Sequence, residues 1–397
     1  MRVLIAFDKF KDALSARQAC DAAARALRRA HPDWLLDLCP LADGGDGFLD
    51  VLALAAGGRK IDFPVMGPRG GTVQAPVGMV PAGNIPPGAL SLLGLEPKLD
   101  PAGKSTVAVV EMAAASGLAL LAPESRDPWR ATSYGTGQLI RAAAEMGASA
   151  VLLGVGGSAT HDLGFGALAA LGLEFRTADG RKLKPPLPSQ WAELERIEGE
   201  LFPSIPQIRI ACDVSNPLLG ANGAAAVYGP QKGLAPADLN RMDDATALAA
   251  AQLCRMEANP RFISESFDWT EMGPATPGAG AAGGIAFGLM AAAGARLVPG
   301  FALVSAWLGF ERRLAAADLV ITGEGSFDES SSQGKGPGAV VGLARRLGKP
   351  VHVFAGRISG AGKNEPGLHA ISPPEMPLAE ALPRTAANLA ASIRGAL

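Results

Sequence analysis

Sulfur and imidazole are scarce in this chain. Its four cysteines, Cys20, Cys39, Cys212 and Cys254, form no CxxC pair, and its four histidines are scattered, so no zinc-binding spacing exists. Small buried thiols of a reducing compartment are the simplest reading, which makes the cytoplasm the expected location. Charge of one sign is also missing: the formal net charge is -2, which removes the broad electrostatic reason to bind nucleic acid or an anionic membrane. The apolar run from Val3 to Phe7 meets Asp8-Lys9 at once and is too short for a signal peptide. One charge-free stretch, residues 272–295, imitates a membrane span in length. Its apolar content is mostly alanine broken by glycine and proline, so no span is expected.

What is present is a packed globular protein. Hydrophobic residues make up 48% and charged residues 19% of 397 positions, a length that gives a prior of roughly two to three domains. Glycine (50) and proline (31) together reach about a fifth of the chain without a fixed period, which excludes collagen and low complexity. In a chain only 5% aromatic, that glycine load points to tight strand-to-helix turns.

Continuous apolar runs at 3–7, 107–110, 150–155, 208–211, 319–321 and 351–354 predict strands buried on both faces of parallel sheets. Helical periodicity lies between them, at 16–30 behind a Ser15/Gln18 capping box, and near 136–146, 164–171, 281–293 and 338–347. Strands alternating with helices predict an α/β fold. Proline clusters at 63–68, 81–103, 185–188 and 274–277 mark candidate seams. Because βα patterning occupies both ends, two α/β domains with a cleft between them are expected. Residues 1–66 plus 277–397 would form a Rossmann-like or flavodoxin-like parallel sheet, with 67–276 an inserted α/β domain.

In such sheets ligands gather at the carboxyl ends of the strands. Four apolar runs are followed at once by an acid, at Asp8, Glu111, Asp213 and Glu324, which suggests carboxylates grouped around a cation or a hydroxyl; Glu111 is the one most readily read as structural. Two glycine loops, 154–160 and 276–284, open helices and would expose N–H groups to an anion. The second equally suits close helix packing. The first has GxGxxA spacing, but no acid ends a following strand as a dinucleotide fingerprint requires. The stretch from Thr322 to Asp328, continuing to Lys335, puts a lysine and two acids on one loop, the pairing that phosphoryl transfer needs. Lys335 is followed by glycine, so this is no Walker A loop, and the absence of G-x-S-x-G argues against a Ser/His/Asp hydrolase.

Nine blocks in order resemble the type I glycerate kinase (glycerate 2-kinase-like) family nearly end to end. They are Ala6-Phe7-Asp8-Lys9-Phe10-Lys11, Leu41-Ala42-Asp43-Gly44-Gly45-Asp46-Gly47, Glu111-Met112-Ala113-Ala114-Ala115-Ser116-Gly117-Leu118, Thr132-Ser133-Tyr134-Gly135-Thr136-Gly137 and Gly156-Gly157-Ser158-Ala159-Thr160. Then follow Cys212-Asp213-Val214-Ser215-Asn216-Pro217-Leu218, Gly229-Pro230-Gln231-Lys232-Gly233, Gly280-Ala281-Ala282-Gly283-Gly284 and the 322–328 loop. The resemblance implies ATP- and Mg2+-dependent phosphorylation of D-glycerate, usually to 2-phosphoglycerate, by a monomer or homodimer whose partners are small molecules. Carried onto this sequence, it implies Asp213 as general base, with magnesium binding as its rival role, and Lys11 as a second catalytic group. Asp8, Asp43, Gly44, Gly45, Ser158, Thr160, Asp162 and Asn216 fall on the substrate side; Gly283, Gly284, Glu324, Asp328 and Lys335 fall on the nucleotide side. The chain departs from the family pattern at His161 and Leu163, where the family usually has Asn and Gly, and at Asp46, Gln138 and Ser330. A same-fold kinase acting on another small hydroxy acid is the alternative those departures raise.

Overall fold

A computed structural model describes residues 1–95, 105–256, 273–328, 336–359, 367–373 and 375–397. Strands form where the apolar runs predict them: β1 (Arg2–Phe7), β5 (Thr106–Glu111), β6 (Ala150–Gly154), β10 (Gln207–Ala211), β12 (Leu319–Phe327) and β13 (Val351–Ile358). Less hydrophobic strands complete the sheets: β2 (Leu35–Leu38), β3 (Arg59–Met66), β4 (Thr72–Pro81), β11 (Arg296–Val298) and β14 (Leu368–Ala370). A short peripheral sheet joins β7 (Glu174–Arg176), β8 (Lys182–Leu183) and β9 (Arg196–Glu198).

The smaller main sheet runs β14-β13-β12-β1-β2 with all neighbours parallel, and it takes strands from both chain ends. Counted along the chain, its order is 2-1-3-4-5, the flavodoxin-like arrangement, whose switch point lies between β1 and β12. The larger sheet runs β11-β10-β6-β5-β4-β3; its first four strands are parallel, and β4 and β3 close it as an antiparallel hairpin. This moves both expected seams. The 63–68 proline cluster lies in β3 and its following turn, and β3 pairs with β4 in the larger sheet rather than ending the smaller one. Pro64 is tolerated there because β3 is an edge strand, where a missing N–H costs no ladder bond. Likewise β11, after residue 277, pairs with β10.

Both sheets are covered on both faces. Val3, Ile5, Phe7 and Ile321 pack under the helices Ala16–Ala30 and Leu378–Ala396, and Leu4, Ala6 and Val320 pack on the opposite side against Phe310 and Val340. The Ser15 capping box forms as predicted, with the Gln18 N–H donating to Ser15 Oγ at 3.2 Å and the Ser15 N–H to Gln18 Oε1 at 2.9 Å. No described helix is long and apolar enough to cross a membrane. None of the four cysteines is in a disulfide, and Cys20 and Cys39 are buried.

Two joints hold the loops at the strand ends. Glu111, at the end of β5, accepts from the Gly47 and Leu49 N–H groups at 3.0 and 3.3 Å and so caps the helix Phe48–Ala55, the structural role expected of it. Gly288 lies where its helix, Ala281–Ala293, presses against another backbone: a Cβ there would stand 1.8 Å from the Leu163 carbonyl oxygen.

Gly288→Ala should therefore destabilise the protein by about 1–3 kcal/mol, read as a lower urea midpoint, because the two backbones must separate. Burial pushes the Glu111 carboxyl up to about 7 from an ordinary 4.5, against the pull of its two N–H donors. The folded state binds that proton more tightly than the unfolded chain. Its contribution is complete below pH 4.5 and lost as pH rises through 7. Glu111→Gln keeps the acceptor oxygen and escapes the loss, so its stability relative to wild type should climb between pH 5 and 8. A constant difference across that window would contradict the assignment.

Candidate active site

Asp8 follows β1 at the switch point. Its N–H donates to the Gly323 carbonyl of β12 at 3.0 Å, and its Oδ1 accepts from the Lys9 N–H at 2.7 Å. In this buried position its pKa is raised to about 7, chiefly by burial and then by the charge of Asp43. Lys9 Nζ stands 3.3 Å from Asp43 Oδ1. Burial works to lower the Lys9 pKa, but Asp43, Asp8 and Asp46 together outweigh it and hold the ammonium firmly protonated. For Asp43 burial works upward, and Lys9 with the Gly45 N–H (3.2 Å) brings it below the ordinary carboxylate range.

The turn from Asp43 to Gly47 carries this cluster onto the larger sheet. Gly44 has φ +85°, and its carbonyl accepts the Gly156 N–H at 2.9 Å. A Cβ on Gly156 would lie 2.6 Å from the Gly45 Cα, so two glycine turns are needed for this approach. The turn thereby rests on the carboxyl ends of β6 and β10. There Asp43, Gly156, Gly157, Ser158, Asp213 and Lys232 line a small cavity of about 150 Å3.

On the far wall Lys232 is almost wholly buried, donating to Ser158 Oγ at 3.0 Å and to the Thr160 carbonyl at 2.6 Å. Asp213 Oδ2 accepts the Phe301 N–H at 2.8 Å, which places the carboxylate against the first turn of the helix Gly300–Leu308. That helix end offers positive partial charge and fixes the side chain. On the opposite side of the Lys9 cluster opens a groove of about 850 Å3, lined by Lys9, Lys11, Arg17, Arg312, Arg313 and Trp307 among others, with Asp46 on its rim.

The structure places Asp43, Ser158 and Asp213 on one cavity, with Asp8 and the Gly44-Gly45 turn beside Asp43, and Glu324 lies one residue beyond the β12 position paired with Phe7. Lys11 stands apart from the small cavity, exposed on the groove, and Asp328 follows the end of β12. Other expectations need correction. Asp162 is not part of the small cavity's lining. Its oxygens accept from the Ser133 N–H and Oγ–H (2.7 and 2.8 Å) and from the Gly164 and Gly166 N–H groups (3.2 Å each), which makes it a buried anchor. Thr160 is fully buried and offers its carbonyl to Lys232 rather than its side chain to a ligand. Asn216 spends its amide on the Asn222 carbonyl and the Tyr228 hydroxyl. Gly283 and Gly284 serve close packing, not a nucleotide: a Cβ on Gly283 would meet the Thr160 carbonyl at 2.2 Å, and one on Gly284 the Leu163 side chain at 2.7 Å. Lys335 and Ser330 lie outside the described residues.

Sequence reasoning passed over Lys9, Lys232 and Asp46 as site residues. Lys9 was legible as the residue next to a strand-ending acid. Lys232 stood in a Gly-Pro-Gln-Lys-Gly turn, but nothing local shows that the turn drives its side chain inward. Two departures from the family pattern are structural. His161 Nε2 bonds Thr246 Oγ1 at 3.0 Å inside the core, and burial lowers its pKa to about 3. Leu163 keeps a left-handed φ of +54°, the backbone a glycine would adopt without strain.

Among the described residues no three His, Cys, Asp or Glu side chains come together as a metal cage, and the Lys9 ammonium already neutralises the Asp8, Asp43 and Asp46 group. That donor chemistry fits a magnesium ion arriving on a nucleotide, which takes one or two carboxylates and completes its shell with phosphate oxygens and water.

Residues 3–396 match the Glycerate kinase family. A glycerate kinase of Halalkalibacterium halodurans is 37% identical over 90% of this chain and 85% of its own. The glycerate 2-kinase of Escherichia coli K12 is 36% identical over 90% and 86% respectively. A crystal structure of a putative glycerate kinase 2 from Salmonella typhimurium LT2 superposes with a TM-score of 0.75 at 35% identity, covering 100% of this chain and 96% of that one. With its two α/β sheets and nearly its whole length matched, the chain belongs to the glycerate kinase family.

Proposed function

We propose that the protein transfers the γ-phosphoryl group of ATP to a hydroxyl of D-glycerate, giving 2-phosphoglycerate. The observation that carries this reading is the pair of cavities on either side of the Lys9–Asp43 ion pair: a small one sized for a three-carbon acid, and a large basic groove sized for a nucleotide. Family membership supplies the reaction class, and the product follows the name of the Escherichia coli relative.

In this reading Asp213 is the general base. Anchored by the Phe301 N–H on the small cavity's wall, it takes the proton as the acceptor oxygen bonds to the γ-phosphorus and the β,γ-bridging bond breaks. Lys9, protonated throughout, stands between the two cavities and offsets charge on the transferring group. Arg17, Arg312, Arg313 and Lys11 supply cations along the groove, where Trp307 and Leu308 give apolar surface for a base. Magnesium arriving with the nucleotide would supply further charge neutralisation, and Asp8, just after β1, and Glu324, on the adjacent β12, would be the carboxylates to hold it. Two of the departures, His161 and Leu163, favour no other acceptor, since both are buried away from the small cavity's lining.

The test is ADP release from MgATP that depends on glycerate, with the phosphate position read by phosphorus NMR. Turnover with a different hydroxy acid but not glycerate would overturn the acceptor, and a 3-phospho product would overturn the regiochemistry. Asp213→Asn should lower kcat by about 10²–10⁴-fold while leaving the KM for ATP within a few fold. A near-normal kcat would remove Asp213 as the base.

A further inference from the structure

The turn that follows the helix Ala224–Tyr228 drives a lysine into the protein. Gly233 has φ +91°, and a Cβ there would stand 2.3 Å from the Arg126 carbonyl oxygen, so the chain reverses tightly against its neighbour. The reversal points Lys232 inward until its side chain is 1% exposed. A lysine ammonium has three donors. Two are used, on Ser158 Oγ and the Thr160 carbonyl, and no carboxylate among the described residues lies within ion-pair distance. The nearest acid to act on it, Asp162, has its oxygens committed to Ser133, Gly164 and Gly166. A buried cation without a counter-ion is costly, and the fold retains this one on the wall of a cavity that opens beside Asp213.

We infer that Lys232 seats the carboxylate of the acceptor acid, with its remaining N–H and the Ser158 hydroxyl, and so makes the enzyme choose an acid over a neutral polyol. This rests on the reading that a small hydroxy acid occupies the 150 Å3 cavity. The carboxylate completes the missing ion pair, and holding it at the Lys232 wall leaves the hydroxyl end for Asp213. Specificity of this kind is strong because the ligand that lacks the group leaves a buried charge unpaired.

The same geometry has a proton signature. Burial lowers the Lys232 pKa to about 7, with Asp162 pulling weakly the other way. Three other groups around the cavity do not follow it, whereas Asp8, behind Asp43, is itself raised to about 7. His161 is held neutral, Asp43 is held ionised by Lys9, and burial keeps the Tyr228 hydroxyl protonated to about 12. Asp213 lines the same cavity and Asp162 lies behind it, buried among its donors. A bound carboxylate favours the charged lysine, so binding above pH 7 must draw in a proton.

Calorimetry of D-glycerate binding to the full-length enzyme, in Tris and in HEPES, reads that proton directly. We expect uptake of most of one proton at pH 8 and almost none at pH 6; no uptake at pH 8 in the wild-type protein overturns the inference without any variant. Lys232→Met, with its fold checked by circular dichroism, should abolish the uptake and raise the KM for glycerate about 30- to 100-fold, while the KM for ATP moves less than threefold. Unchanged glycerate affinity and unchanged uptake in Lys232→Met would show that the carboxylate sits elsewhere. Lysine-dependent binding without ADP release would keep this inference and defeat the kinase reading. Glycerate-dependent ADP release with lysine-independent binding would do the reverse, and no binding at all would defeat both.

Discussion

The site depends on one backbone hydrogen bond, from the Gly156 N–H of the larger sheet's loop to the Gly44 carbonyl of the turn that follows the smaller sheet's β2. Each α/β sheet on its own has a crevice at its strand ends, and on the proposed reading neither crevice alone holds the groups that phosphoryl transfer needs. The smaller sheet contributes Asp8, Lys9 and Glu324; the larger contributes Ser158, Lys232 and Asp213. Bringing the two together requires backbone to touch backbone, because any side chain at Gly154 or Gly156 would occupy the space the 43–47 turn fills. Asp43 travels with that turn, so the joint that closes the lobes also delivers the partner of Lys9.

Two lysines at the site are held in opposite electrostatic conditions. Lys9 sits among three carboxylates that overcome its burial, and its charge is permanent across ordinary pH. Lys232 sits among hydroxyl, carbonyl and glycine backbone, where burial dominates and its charge is conditional. On the proposed reading that difference matches the two tasks. A group beside a transferring phosphoryl must stay cationic whatever is bound, whereas a group meant to recognise an anion gains most if the anion itself completes its environment.

Much of the scaffold was legible in the sequence, for a physical reason. A parallel strand buried on both faces must be apolar throughout, so β1, β6, β10 and β13 announce themselves, and the helix at 16–30 is signed by its Ser15 cap. The β3–β4 hairpin was not legible: Pro64 and Pro76 break the strand pattern, and they fit because β3 is an edge strand and Pro76 precedes the part of β4 that pairs with β5. At the site, acids that end strands were readable because topology alone sends them to the crevice, as with Asp8 and Asp213. The side chains inside the 158–166 loop were not. Ser158, Thr160 and Asp162 are near neighbours, yet Ser158 faces the cavity, Asp162 is spent on internal bonds, and Thr160 gives its backbone carbonyl to Lys232 while its buried hydroxyl meets no hydrogen-bond partner among the described residues. Their fates are decided by Lys232 and Ser133, which arrive from distant sequence.

That observation also bears on what a departure from a family pattern means. His161 and Leu163 look alarming beside a presumed catalytic loop, and read locally they invite a change of substrate. In three dimensions the His161 ring points into the core toward Thr246. Leu163 substitutes for the conformational freedom of glycine at the cost of a left-handed backbone, and recovers part of that cost by burying its side chain in the core of the larger sheet. Both changes are absorbed on the side of the loop that faces away from the cavity. On the proposed reading acceptor choice is carried by the opposite side, where Ser158, Lys232, Asp43 and Asp213 line the small cavity.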